Sequence, residues 1–275
     1  MERALTLEFE IELKLLLEAI NLKYNYDFRH YSSASMKRRI VQGLNRLRCN
    51  TLSELKEKIL RDSECFYELL QSLTVSVSEM FRDPSYFLAL REEVIPHLRT
   101  YPSLKVWVAG CSTGEEVYSL AILLQEEALL ERTIIYATDI NPRCLEKAEK
   151  GVFELEEVRK ISQNYMKSGG KHLLSDYYIS AFDSVKFSND LRKNITFADH
   201  SLATDSVFSE THLISCRNVL IYFDRELQER ALGLFQESLC KNGFLGLGAK
   251  ETTQFSHHAK HFDAFVKADQ IFQKK

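Results

Sequence analysis

The sequence predicts an α/β protein with an all-α N-terminal region, and three observations carry that expectation. The first third has a helical apolar period, with Gly43 as its one glycine and no proline before Pro84. Beyond Pro84, short β-type runs alternate with helical ones. The first of those runs ends in a glycine turn that opens a helix, VWVAGCSTGEEVYSLAILL at 106–124.

In the first third, Leu13, Leu16, Leu17 and Ile20 recur at i, i+3, i+4 and i+7, which draws one apolar stripe on a helix. Leu52, Leu55, Ile59 and Leu60 begin a second such face, and Thr51 with Glu54 has the spacing of a capping box. Next come the β-type runs KVWVAG, TIIYATD, HLISC, GFLGLGA and AFVKA. Between them stand EVYSLAILLQEEALL, PRCLEKAEKG and DRELQERALGLFQESLCKNG, all helical in period. This alternation predicts a mostly parallel sheet covered on both faces. GFLGLGA and AFVKA have no strong helix between them, so an antiparallel hairpin at one sheet edge is expected. Residues 166–197 break the alternation with β-like pieces and polar turns, which predicts a small inserted β-subdomain. The resulting division is a helical domain over 1–84 and an α/β domain over 85–275.

Composition narrows the functional classes. Net charge is −3, so bulk electrostatics favour neither nucleic acid nor an anionic membrane. The six cysteines are scattered with no C-x-x-C pair, as in a reduced, cytoplasmic protein without a disulfide framework or zinc site. His257, His258 and His261 lack the zincin pattern and neighbouring ligands, so no metal is expected. Acidic residues interrupt the N-terminal apolar pattern, against a signal peptide, and no run approaches the ~18 apolar residues of a spanning helix.

The turn at 110–114 has neither the P-loop lysine nor the G-x-G-x-x-G fingerprint, since Gly110 and Gly114 stand alone. Glu115 and Glu116 would repel a pyrophosphate and suit hydroxyls or positive charge. Capping the following helix accounts for one of the two acids; a ligand accounts for both. Asp139 ends the second β run, where doubly wound folds bind ribose hydroxyls, although it could also cap the helix near Pro142. Adenosine without phosphates, joined to a cationic centre, describes S-adenosylmethionine. Arg217, Asn218 and Tyr222 leave a third buried run, again where ligands gather. Arg82, between Phe81 and Pro84, is expected to be partly buried beside a carboxylate. Finally, residues 28–53 contain Lys37, Arg38, Arg39 and Arg46 close together. On a helical wheel Arg38, Arg39 and Arg46 oppose Met36, Ile40, Leu44 and Leu47, as if to meet an acidic macromolecular partner.

With these residues assembled, the chain resembles the CheR family of chemoreceptor glutamate methyltransferases. The segments that carry the likeness are LTVSVSEMFRDP (73–84), VWVAGCSTGEEVYSLAILL (106–124), YATDIN (136–141), CRNVLIYFD (216–224) and NGFLGLGAKET (242–252). The resemblance implies an N-terminal helical substrate-recognition domain and a Rossmann-like class I methyltransferase domain with an inserted β-subdomain. It implies contacts to S-adenosylmethionine, or its product S-adenosylhomocysteine, from Gly110, Glu116, Asp139, Arg217 and Asn218. Arg82 and Tyr222 then stand near the methyl group, and Ser76, Ser78, Ser201 and Leu202 align with further cofactor positions. Here the sequence departs from the family, which more often has asparagine, threonine and asparagine where Ser76, Ser78 and Ser201 stand.

The implied reaction esterifies a glutamate in the cytoplasmic helical methylation region of a chemoreceptor. Lys37, Arg38, Arg39 and Arg46 would dock that acidic helix. Competing readings are an S-adenosylmethionine-binding sensor, a methyltransferase of a non-chemotactic protein, an NAD-linked oxidoreductase, and a nucleic-acid methyltransferase. The broken glycine fingerprint argues against the oxidoreductase. The four prolines are nowhere adjacent, so the P-P core of adenine-N6 enzymes is missing.

Overall fold

The computed structural model describes residues 7–75 and 78–275, so Ser76 lies outside the described residues. Two compact units emerge. One comprises Met1–Val75, Ser201–Asp205 and Tyr222–Arg230; the other comprises Ser76–His200, Ser206–Ile221 and Ala231–Lys275.

The first unit is built on helices α1 (Leu7–Tyr24), α2 (Ser33–Arg46), α3 (Leu52–Arg61) and α4 (Ser63–Leu73). The apolar stripe of α1 is buried at Leu13, Leu16, Leu17 and Ile20, and that of α3 at Leu52, Leu55 and Ile59, while Leu60 stays 40% exposed. Each such burial stabilises by about 1.5–3 kcal/mol. The Tyr24 ring stacks on Phe66 of α4 with centroids 3.8 Å apart. At the start of α3, Thr51 accepts the Glu54 N–H at 3.1 Å. The Glu54 carboxylate reaches back one residue beyond the capping-box position, to the Asn50 N–H at 2.8 Å. Residues far along the chain complete the unit. Tyr31 and Phe223 form an antiparallel bridge, Ser32 N–H donates to the Tyr222 carbonyl at 2.7 Å, and Asp224 N–H donates to the His30 carbonyl at 2.8 Å.

The second unit opens with α5 (Pro84–Ala89), a π-helical turn at Leu90–Val94 and α6 (Ile95–Leu98). It continues β1 (Leu104–Ala109), α7 (Glu115–Glu126), β2 (Thr133–Asp139) and α8 (Pro142–Lys150). Then follow β3 (Val152–Glu154), α9 (Leu155–Lys160), α10 (Ser162–Lys167), β4 (Tyr178–Ala181), β5 (Ser184–Phe187), α11 (Asn189–Arg192) and β6 (Ile195–Asp199). The chain ends through β7 (Thr211–Cys216), α12 (Arg225–Ser238), β8 (Leu239–Leu247), β9 (Phe262–Val266) and β10 (Ile271–Lys274). Of these, α12 contributes residues to both units.

The main sheet runs β6-β2-β1-β7-β8-β10-β9. Its first five strands are parallel, as the strand–helix alternation predicts, and β1 is buried from Val106 to Ala109. The expected terminal hairpin differs in one strand. GFLGLGA (β8) and AFVKA (β9) do not pair; β10, from the polar-flanked IFQK, lies antiparallel between them. Its apolar pair Ile271 and Phe272 is too short to announce a strand against the surrounding lysines and glutamines.

A second, antiparallel sheet has order β3-β5-β4. It draws its first strand from 152–154, upstream of the segment read as an insertion, while 195–199 joins the main sheet as β6. A buried polar cluster ties this subdomain down. Glu126, with no exposed side-chain surface, pairs with Arg91 and accepts from the hydroxyls of Tyr165 and Tyr177 and the Lys171 N–H. Burial alone would raise the Glu126 carboxyl, but those donors and the Arg91 charge hold it below its ordinary range.

Candidate functional site

The strand order reverses at β1: the chain moves from β1 to β2 on one side and returns to β7 on the other. Open α/β sheets bind ligands beyond the carboxyl ends of their strands at such a switch point. In this protein the elements leaving those ends carry most of the residues that the sequence singles out.

Between β1 and α7 the backbone is held in unusual conformations. Gly110 (φ +75°), Ser112 (φ +51°) and Gly114 (φ +98°) all lie in the left-handed region. At Gly110 a Cβ would also stand 2.5 Å from Val219 Cγ2, so this position tolerates only glycine. Neither acid caps α7 with its side chain. Gly114 is the N-cap of α7, and the Glu115 carboxylate instead accepts from Thr113 Oγ1 at 2.6 Å. Burial raises the Glu115 carboxyl. Thr113 and Glu115 line a cleft of about 610 Å³ together with Ser78, Lys147, Glu157 and Ile161.

Glu116 points elsewhere. Its Oε1 accepts from Ser215 Oγ of β7 at 2.6 Å, and its Oε2 pairs with Arg217 Nη1 at 3.1 Å. Arg217 has a side chain only 1% exposed. Its Nη2 pairs with Asp83 at 2.7 Å and donates to the Arg82 carbonyl at 3.1 Å, and the guanidinium lies 4.1 Å from the Tyr86 ring centroid. Burial works against this cation, but the charges of Glu116 and Asp83 more than offset it and leave it more basic than usual. Tyr86 closes the cluster from below, with its hydroxyl 2.8 Å from Ser215 Oγ. The Phe81-Arg82-Asp83 segment is strained, with φ of +51° at Phe81 and +53° at Asp83. Phe81 N–H is anchored on Ser119 Oγ at 2.9 Å. The carboxylate partner expected for Arg82 goes to Arg217; the half-buried Arg82 guanidinium has no ion pair among the described residues.

Asp139 accepts the Ser112 N–H at 2.8 Å and the Asn141 N–H at 2.9 Å, so it ties the glycine turn to the end of β2. Capping of α8 falls to Asn141, which accepts the Arg143 N–H at 3.1 Å, and not to Asp139. Burial raises the Asp139 carboxyl, while those N–H donors oppose the shift. Asn218 (φ +62°) is fixed by a residue that sequence reasoning passed over. The buried Glu251 carboxylate accepts N–H groups from Asn218 at 2.9 Å, Ile221 at 3.2 Å and Gly248 at 2.6 Å. It therefore sets the path of the loop that carries Arg217 and Asn218. Asp83 and Glu251 stand beside other polar residues, Arg82 and Lys250, and obey no period. The one available signal was the hydroxyl of Ser215 inside an otherwise apolar strand.

Ser201, Leu202 and Tyr222 belong to the first unit. Ser201 Oγ accepts the Ala203 N–H at 3.2 Å, its own N–H donates to Asp205 at 2.9 Å, and Leu202 is buried. Tyr222 lies beneath Arg39, whose guanidinium carbon is 4.8 Å from the ring centroid. Here the helical wheel misplaces a residue: Arg39 does not share the solvent face with Arg38 and Arg46 but is only 7% exposed. It follows Met36 by three positions and adjoins Ile40, so it flanks the buried stripe of α2. Of the other cations, Lys37 pairs with Glu10 and Arg46 with Glu68, whereas Arg38 is exposed.

The paired charges of Glu116 and Arg217 complement those of a zwitterionic amino-acid group. Two buried polar atoms, Arg217 Nε and Ser112 Oγ, have no protein partner among the described residues and are available to such a group. The residues fit S-adenosylmethionine.

Comparison with known proteins agrees. Residues 11–74 match the family model described as the CheR methyltransferase all-alpha domain, and residues 76–270 match the CheR methyltransferase SAM binding domain. The Pseudomonas putida protein Cher3 is 59% identical, over 96% of this chain and 97% of its own length. The chemotaxis protein methyltransferase of Listeria innocua is 32% identical, over 82% of this chain and 84% of its own. That of Salmonella typhimurium is 31% identical over 70% and 65%. With both domain models matched in order along nearly its whole length, the chain belongs to the CheR methyltransferase family.

Proposed function

We propose that this protein transfers a methyl group from S-adenosylmethionine to glutamate side chains of chemoreceptors, forming methyl esters. One observation supports the reading above others. Glu116, in the first turn of α7 after β1, forms an opposite-charge pair with Arg217, the residue after the adjacent parallel strand β7, and Asp139 ends β2 on the other side of β1. When bound, the cofactor supplies an electrophilic methyl group on a sulfonium centre. Glu116 holds a positively charged amino group, Arg217 a carboxylate, and Asp139 the ribose hydroxyls. Gly110 lets the backbone approach closely. The acceptor glutamate is already ionised at neutral pH, so this chain need not remove a proton from it. Its contribution is orientation, which for well-placed reactants is worth about 7–11 kcal/mol. Arg82 steadies a carboxylate and Tyr222 orients the attacking oxygen.

The test is radiolabelled methyl transfer to membranes that contain cognate receptors. Base-labile label on the receptor is expected, as for a glutamyl ester. Tight cofactor binding with no such transfer would instead assign the chain to cofactor sensing or to a non-chemotactic protein target.

A further inference from the structure

Arg39 is the one cation of α2 that cannot meet a partner, because its side chain is buried. Its guanidinium is held at two points: Nε donates to Ser35 Oγ at 3.0 Å and Nη1 to the Leu73 carbonyl at 3.1 Å. A planar fork fixed at two points has one orientation, and its central carbon stands over the Tyr222 ring, 4.8 Å from the ring centroid. The backbone of Tyr222 is held separately. Its carbonyl accepts the Ser32 N–H at 2.7 Å, and the next two residues pair with Tyr31 and His30. Phe223 adds an edge contact with the Tyr31 ring, centroids 5.0 Å apart. The strand-like bridge thus sets where Tyr222 begins, and the arginine sets where its ring points.

From this geometry we infer that Arg39 is a positioning residue for Tyr222 rather than a docking residue for the receptor. The inference rests on the proposed role of Tyr222 in orienting the attacking oxygen. It gives the all-α domain a second duty: helix α2 shows Arg38 to the outside and directs a reaction-centre side chain with Arg39. Displacements of about 1 Å at a reacting centre cost on the order of a hundredfold in rate. A ring released from its platform is therefore expected to lower kcat while leaving binding alone.

The test compares full-length wild type, Arg39→Gln, Tyr222→Phe and the double variant in methyl transfer to receptor membranes. Calorimetry with S-adenosylhomocysteine runs alongside. Arg39→Gln should lower kcat ten- to hundredfold, with receptor KM and product Kd unchanged within twofold. In the Tyr222→Phe background the same substitution should cost nothing further. A raised KM with kcat intact, or equal losses in both backgrounds, overturns the inference. Full kcat in Tyr222→Phe alone would instead refute the role given to Tyr222, and absence of transfer by wild type would refute the proposed substrate. In either event 3-fluorotyrosine at position 222 decides on Arg39 without turnover. Its fluorine resonance should move toward the free amino-acid position in Arg39→Gln and in Ser35→Ala, which keeps the buried arginine should Arg39→Gln not fold. An unmoved resonance in the folded variants overturns the inference.

Discussion

Glu115 and Glu116 stand side by side in sequence, yet the structure gives them unlike surroundings, and Glu116→Gln tests which one holds the cofactor. Glutamine keeps the volume and can still accept from Ser215 Oγ, now 2.6 Å from Glu116 Oε1. It removes the charge facing Arg217 Nη1 at 3.1 Å and presents no anion to an incoming ammonium. Arg217 retains Asp83 at 2.7 Å, so its buried charge is not left uncompensated and the fold should survive. The loss on binding is then one charge-assisted hydrogen bond, about 1.5–3 kcal/mol. That corresponds to a Kd for S-adenosylhomocysteine weakened roughly ten- to hundredfold. Titration calorimetry reads it directly, with urea unfolding to confirm a stable protein. Glu115→Gln, which alters a carboxylate bonded within its own turn to Thr113, should change Kd less than threefold. Equal effects of the two substitutions, or a Kd for Glu116→Gln within twofold of wild type, would refute the division of roles.

Two further outcomes follow from the surroundings of single side chains. Arg38→Glu places an anion at the exposed cation of α2 and should raise KM for receptor membranes about tenfold with the cofactor Kd unchanged, as a steady-state titration would show. Glu126→Gln should lower stability at pH 7 by about 1.5–3 kcal/mol, since it weakens the charge-assisted hydrogen bonds from Arg91, Tyr165 and Tyr177 while Arg91 keeps Glu127 at 3.0 Å. Because the folded Glu126 carboxyl lies below its ordinary value of 4.5, its contribution is present above that pH and fades as pH falls through the folded value. Urea midpoints of wild type and variant should therefore converge in acid, and a gap that is constant with pH would contradict this account.

The elements legible in the sequence were those with a period or a steric requirement. The stripe Leu13-Leu16-Leu17-Ile20 has the period of a buried helix face, and Gly110, which closes a β-type run, marks the turn whose backbone is left-handed. Asp139 and Arg217 were readable because apolar strands deliver the residues after them to one sheet edge. What escaped was decided by tertiary contact. The β10 strand has two apolar residues and exists because β8 and β9 offer it partners on both sides. Arg39 looks like its neighbour Arg38 until Leu73 and Tyr222, both remote in sequence, cover it. Glu251 carries no periodic mark; only the folded loop at 218–221 brings N–H groups to it.

The bridge between residues 30–32 and 222–224 bears on how the chain is made. His30 and Asp224 contact each other across 194 positions. At translation rates of about 5–20 residues per second, the helices at the amino end wait roughly 10–40 s on the ribosome for the segment that completes their unit. Until then the edge that Tyr222–Arg230 will occupy is open, and closing so long a loop must precede any gain from it. A fragment cut at Val75 would reproduce that unfinished state permanently, so the helical region is poorly suited to study by excision.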